Sequence, residues 1–167
     1  MTTSQRTLIA RAVVLAGLAA GVLAATSRPA AADITAFLGT TTSATGQVHK
    51  GLSAGFTILL VGLDFEYAAA AEDPEGAVPS LSMGSANVLV QTPTGRVKLY
   101  GTVGIGVYRE ALGAYSTTNT SANAGGGVKI GLAGPLGLRI DYRAITLRGS
   151  RRESTQQRWY VGLNLTF

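Results

Sequence analysis

The sequence predicts an all-β protein, an eight-stranded antiparallel up-and-down transmembrane β-barrel. Three observations carry this. Residues 159–167 (WYVGLNLTF) alternate strictly: Trp159, Val161, Leu163, Leu165 and Phe167 share one face, and Tyr160, Gly162, Asn164 and Thr166 the other. The same period of two recurs after Asp33 in segments of roughly 9–11 residues, enough to cross a hydrocarbon layer at a tilt. The connections between those segments alternate short and long, as in a membrane barrel with tight turns at one end and larger loops at the other.

Residues 1–32 read as a secretory signal peptide, removed before Asp33. Arg6 and Arg11 precede an apolar stretch over 12–25, Ser27-Arg28-Pro29 breaks it, and Ala30-Ala31-Ala32 supplies small residues for cleavage. The apolar stretch is too short for a comfortable transmembrane helix. The segment holds three of the 14 basic side chains and no acid, so the remaining 135 residues carry 11 bases and 9 acids, a net of +2. The basic balance of the whole chain is therefore partly an export feature and does not point to nucleic acid. No cysteine is present, so disulfides do not hold the exported domain, residues 33–167.

Strands are predicted over 33–40, 50–58, 61–69, 82–91, 96–108, 122–132, 137–147 and 157–167. Short turns fall at Leu59-Leu60, at 92–95 and at 134–136. Long loops fall at 41–49, 70–81, 109–121 and 148–156. The two-residue turn pairs Ile58 with Val61; the turn at 92–95 pairs Gln91 with Arg96; the turn at 134–136 pairs Ala133 with Gly137. Ile145 and Leu147 break the parity of their strand and suggest a bulge near Ala144 or exit from the membrane. Strand 33–40 is short, and Phe37 fits either face. The last strand closes the ring against the first.

Alternation alone does not say which face is inside, because a soluble lipocalin-like barrel shows the same pattern inverted. The non-apolar face carries Gly104, Gly106, Gly125, Gly127, Gly131 and Gly162 beside charged residues, which suits a narrow interior where small and long side chains interleave. On that reading the lumen holds Asp64, Glu66, Lys98, Lys129, Arg139, Asp141 and Arg143, three acids facing four bases. An eight-stranded lumen is about filled by side chains, so a paired, hydrogen-bonded network is favoured over a gated path for small solutes.

Asn123-Ala-Gly-Gly-Gly-Val-Lys129, Leu138-Arg-Ile-Asp-Tyr-Arg143 and Tyr160-Val-Gly-Leu-Asn-Leu-Thr-Phe167 resemble the small eight-stranded outer-membrane β-barrel domain of Gram-negative bacteria, which includes OmpX-like and OmpW-like proteins and the OmpA membrane domain. Ser85-Ala-Asn-Val-Leu89 and Tyr100-Gly-Thr-Val-Gly-Ile-Gly106 are similar to its central hairpin. The resemblance implies residence in the bacterial outer membrane and insertion by the outer-membrane assembly machinery. That machinery reads a closing strand of the kind formed by Trp159, Val161, Leu163, Leu165 and Phe167. Where that family often has Tyr two positions before the end, this chain has Leu165.

Chemistry is sparse. His49, the single histidine, is read as exposed or interfacial, and no motif sets it beside Ser53 or Glu110 as a catalytic pair. No spacing suggests a metal or other cofactor. The glycines at 101–106 and 125–127 open no helix and read as small side chains within strands rather than nucleotide loops. Arg148, Arg151 and Arg152 are candidate contacts for lipopolysaccharide phosphates. The expected role is a monomeric, non-enzymatic barrel with a structural or surface-interaction function. A narrow porin or carrier for small, hydrophobic solutes is the alternative, and a periplasmic lipid-binding barrel a weaker third.

Overall fold

A computed structural model describes residues 31–42, 46–73, 78–93, 95–149 and 155–167. The predicted signal segment lies outside these residues except for Ala31 and Ala32, which already belong to the first strand. Eight antiparallel strands form one closed barrel in chain order: β1 (Ala31–Thr41), β2 (Val48–Ile58), β3 (Val61–Ala70), β4 (Ser80–Gln91), β5 (Val97–Leu112), β6 (Tyr115–Ala133), β7 (Leu136–Leu147) and β8 (Thr155–Thr166). β8 closes on β1 through pairs running from Asp33–Thr166 to Thr41–Arg158.

The register fixes the barrel's shape. Following paired residues once around the ring leads from Ala31 through Thr57, Gly62, Leu89, Thr102, Gly125, Arg143 and Arg158 to Thr41, ten residues further along β1. With ~3.4 Å per residue and ~4.8 Å between strands, that stagger tilts the strands by about 40°. An 11-residue strand such as β2 then rises about 28 Å, close to the thickness of a hydrocarbon layer.

The two faces separate as expected. The outward side chains of all eight strands are aliphatic or aromatic over most of their length, with Leu38, Val103 and Ile105 between 60% and 72% exposed. The buried side is polar and charged. Phe37 faces inward and stacks on Tyr160 with ring centroids 4.2 Å apart.

Where connections differ from expectation, the turn chemistry explains it. Ile58 pairs with Val61 as predicted, with Leu59 taking the positive φ of the turn (59°) although it is not glycine. Gln91 pairs with Tyr100, not Arg96. Thr92 grips Leu99 through both its backbone N–H and its hydroxyl, and Val97 and Leu99 run on beyond β4 to pair with β6. Ala133 pairs with Leu136 across a two-residue turn in which Gly134 has φ 55°. A bulge between Gly131 and Ala133 absorbs the extra residue, so Leu138 faces Ile130 rather than Leu132 and Gly131 is exposed. Each shift preserves which residues point outward in the strands themselves.

Two larger corrections concern the long-loop end. Residues 109–121 are not a loop: β5 and β6 continue to a tight turn at Gly113 (φ 57°) and Ala114. Both faces of that extension meet solvent, so its polar Ser/Thr composition hid the strand. No bulge occurs near Ala144. β7 pairs without interruption from Gly131–Gly137 to Ser121–Leu147, and Ile145 and Leu147 point inward, each 2% exposed.

Inward aromatics lie over glycines on the neighbouring strand. Tyr100 and Gly127 are direct cross-strand partners, and a Cβ at Gly127 would sit 2.6 Å from the Tyr100 hydroxyl and against the Ile140 carbonyl. Gly101 faces outward, and a Cβ there would meet nothing nearer than 3.9 Å. Gly127→Ala is therefore expected to lower unfolding stability in detergent by about 1–3 kcal/mol through overpacking. Gly101→Ala should leave the urea midpoint unchanged or slightly raised.

Candidate functional site

The barrel interior is stacked in three storeys. At the short-turn end, Lys129 Nζ donates to Asp33 Oδ2 at 2.5 Å. Lys98 also faces this mouth, directly opposite Lys129 in the register, but it is only half-buried and makes no ion pair among the described residues. The sequence placed Lys98 within the central network; it lies instead at the rim.

The middle storey is built around Arg139 of β7, which is fully buried. Its guanidinium donates to Ser53 Oγ at 3.1 Å, Asp64 Oδ1 at 3.3 Å, Asp141 Oδ2 at 3.4 Å and Tyr100 Oη at 2.8 Å. It also lies 4.9 Å from the Tyr100 ring centroid and 5.7 Å from that of Tyr160. Tyr100 in turn donates to Asp141. Four residues further along β7, Arg143 reaches Asp141 Oδ1 at 2.9 Å, Glu66 Oε2 at 3.1 Å and Asp64 Oδ2 at 3.5 Å. Glu66 is completed by Arg158 and by the Tyr160 hydroxyl. Asn123 and Asn87 tie the opposite wall to the backbone of Asp64.

Four acids (Asp33, Asp64, Glu66, Asp141) thus meet four bases (Lys129, Arg139, Arg143, Arg158), and the paired charges balance. Of the expected residues, Asp64, Glu66, Lys129, Arg139, Asp141 and Arg143 are in these pairs. Asp33 and Arg158 were missed. Each lies near a strand end, on the inward parity, and extending that parity to the predicted ends would have found both.

The third storey, at the long-loop end, is apolar. Ala70, Leu81, Met83, Tyr108, Ile145 and Leu147 form a buried cluster over the ion pairs. His49 lies among them, 2% exposed, with its Nε2 lacking a partner. It is neither exposed nor interfacial, and Ser53 is occupied with Arg139 four residues below it. A cavity of about 10 Å³ beside His49, Met83, Ile145 and Arg158 is the size of about one water. Among the described residues no group of three or more His, Cys, Asp or Glu is placed to hold a metal ion.

Outside, the closing-strand residues Trp159, Val161, Leu163, Leu165 and Phe167 are all exposed. Trp159 packs on Tyr142 of β7 at 4.6 Å between centroids, and Tyr67 is exposed on β3, so aromatics mark the upper part of the apolar surface. Tyr160 is not among them, since it is buried in the lumen. Toward the long-loop end, Lys50, Arg109 and Arg148 are exposed cations. Arg151 and Arg152 lie outside the described residues.

No protein-family model and no curated protein sequence matches this chain. Solved structures do. The N-terminal β-barrel domain of Pseudomonas aeruginosa OprF aligns with a TM-score of 0.67 at 16% identity, over 82% of this chain and 97% of that one. In fold, the chain is a small outer-membrane-type barrel. Neisserial surface protein A aligns with a TM-score of 0.66 at 17% identity, over 83% and 97% of the two chains. The outer membrane enzyme PagL aligns with a TM-score of 0.53 at 16% identity, over 80% of this chain and 98% of that one. The likeness is one of fold, and one of these three barrels, PagL, is an enzyme.

The network predicts the effect of breaking it. Asp141→Ala removes the acceptor shared by Arg139, Arg143 and Tyr100 and leaves buried guanidinium groups undercompensated. The expected loss is about 3–5 kcal/mol of unfolding free energy, measured by denaturant titration in detergent. An unchanged transition would count against the network.

Proposed function

We propose that this chain is an outer-membrane barrel with a structural or surface-interaction role, exported by a cleaved signal peptide at residues 1–32, and that it neither conducts solutes freely nor catalyses a reaction. The single observation that carries the reading is the inversion of a soluble barrel: an apolar exterior around an interior whose buried middle is an ion-paired network. In water, that exterior would be a continuous exposed apolar band far larger than soluble monomers carry. In a bilayer it is solvated, and all strand edges are satisfied by ring closure.

The filled lumen favours the structural role over the porin or carrier. Ion pairs occupy the middle storey and the apolar cluster lies across the upper one, so a hydrated solute would have to break both. A non-enzymatic role is favoured because the single histidine is buried beneath the loops, beside Leu81, Ile145 and Arg158, and makes no bond to an activating acid.

Partners follow from the outer surface. The exposed cations Lys50, Arg109 and Arg148, with Arg151 and Arg152 in the same sequence region as Arg148, suit the phosphates of lipopolysaccharide at the outer leaflet. The exposed row from Trp159 to Phe167 suits recognition of β8 by the assembly machinery.

Two measurements test this reading. The expressed protein should fractionate with the outer membrane, require detergent for extraction and show heat-modifiable gel mobility, and refolded protein should be silent in planar-bilayer recording. Extraction by salt or alkali alone would overturn the membrane assignment, and stepwise conductance would overturn the closed lumen. Deleting Phe167 should reduce the inserted fraction severalfold without altering the unfolding of the molecules that do insert, and normal insertion would contradict the role given to β8.

A further inference from the structure

The short-turn mouth has a charge imbalance that the central network does not. Lys98 and Lys129 are direct cross-strand partners on the inward face. Like charges in that position repel, and the mouth offers them one acid, Asp33, whose Oδ2 is already engaged by Lys129 at 2.5 Å. Below them opens a cavity of about 180 Å³, whose polar lining includes Asp33, Gln91, Arg96, Lys98, Lys129 and Asn164; Arg96 is held there by its bond to the Leu132 carbonyl. That is several times the space a water needs. Two buried acceptors lining it, Asp33 Oδ1 and Asn164 Oδ1, have no donor.

We propose that this mouth is a binding site for a small oxyanion that also carries a hydroxyl, with inorganic phosphate the simplest case. The surplus ammonium of Lys98, reinforced by Lys129, supplies the attraction for a negative oxygen, and charge-assisted bonds of that kind are the stronger ones. The unpartnered acceptors ask for the opposite: a donor. A phosphate oxygen bearing a proton provides it, whereas sulfate near neutral pH has acceptors alone. The site therefore discriminates between two anions of similar size and shape. The cavity lies within the ring of turns, and this favours a free anion over a phosphate attached to a lipid.

The test is a titration of the mature chain, residues 33–167, refolded in zwitterionic detergent, with inorganic phosphate, sulfate and short-chain phosphatidate in separate arms at constant ionic strength. Binding is read from the amide shifts of residues around the mouth. Phosphate should give saturable shifts centred on Lys98, Lys129 and Asn164, and sulfate should bind at least tenfold more weakly. Lys98→Met, which breaks no protein ion pair, should weaken phosphate at least tenfold while leaving the urea midpoint unchanged. Equal affinity for sulfate, an unaltered Lys98→Met titration, absence of saturable shifts, or a response to phosphatidate but not free phosphate would each overturn the assignment. Because the readout is made in detergent and uses neither conductance nor fractionation, it stands or falls separately from the proposed function.

Discussion

The structure depends on the requirement that every ion enclosed by the barrel have a counter-ion. Eight strands leave an interior that side chains fill, and this chain fills its middle with Arg139, Arg143, Arg158, Asp64, Glu66 and Asp141. Isolated, any of these charges would cost several kcal/mol to bury. Together they form a network contributed by β3, β7 and β8, fastened to β2 and β5 through Ser53 and Tyr100. The network consequently specifies how the strands sit against one another. A register slip of one residue would turn Asp64, Glu66 or Asp141 toward the apolar face and leave the buried arginines without their counter-ions.

Space follows the same rule. Arginines and tyrosines fit in so narrow a lumen because the strands beside them are lined with glycine: Tyr100 lies over Gly127, and Phe37 reaches across Gly51 on one side and Gly162 on the other. The aliphatic ceiling of Leu81, Met83, Ile145 and Leu147 then separates the ion pairs from the loops. It keeps the salt bridges out of bulk water, where they would be screened and weak. Polar exterior residues such as Lys50 and Arg109 return toward the long-loop end of the strands.

Much of this was legible in the sequence because a strand's side-chain period is two and parity is robust. The pairings expected at Gln91–Arg96 and Ala133–Gly137 were displaced, yet Lys98 on β5 and Arg139, Asp141 and Arg143 on β7 still face inward as their parity requires. What parity does not contain is turn geometry. Thr92 capturing Leu99, and the bulge at Leu132, depend on local hydrogen bonds and on single positive-φ residues rather than on any periodic signal. The β5–β6 extension escaped notice for a related reason: its two faces have the same solvent, so no alternation is needed. Ile145 and Leu147 looked like an interruption because an apolar storey inside an otherwise charged lumen violates a two-class pattern. His49 was misplaced with them, since nothing in one histidine's sequence context says that its neighbours across the barrel are aliphatic.

In the proposed membrane barrel the odd positions of β8 face lipid and the even ones face the filled interior. The chain contains no cysteine, so single cysteines can be placed one at a time from 159 to 165, labelled with a small fluorophore and reconstituted in bilayers carrying a lipid-borne quencher. The account predicts strong quenching at 159, 161, 163 and 165, with protection, or failure to label without unfolding, at 160, 162 and 164. Uniform quenching, or the reverse alternation, would contradict it.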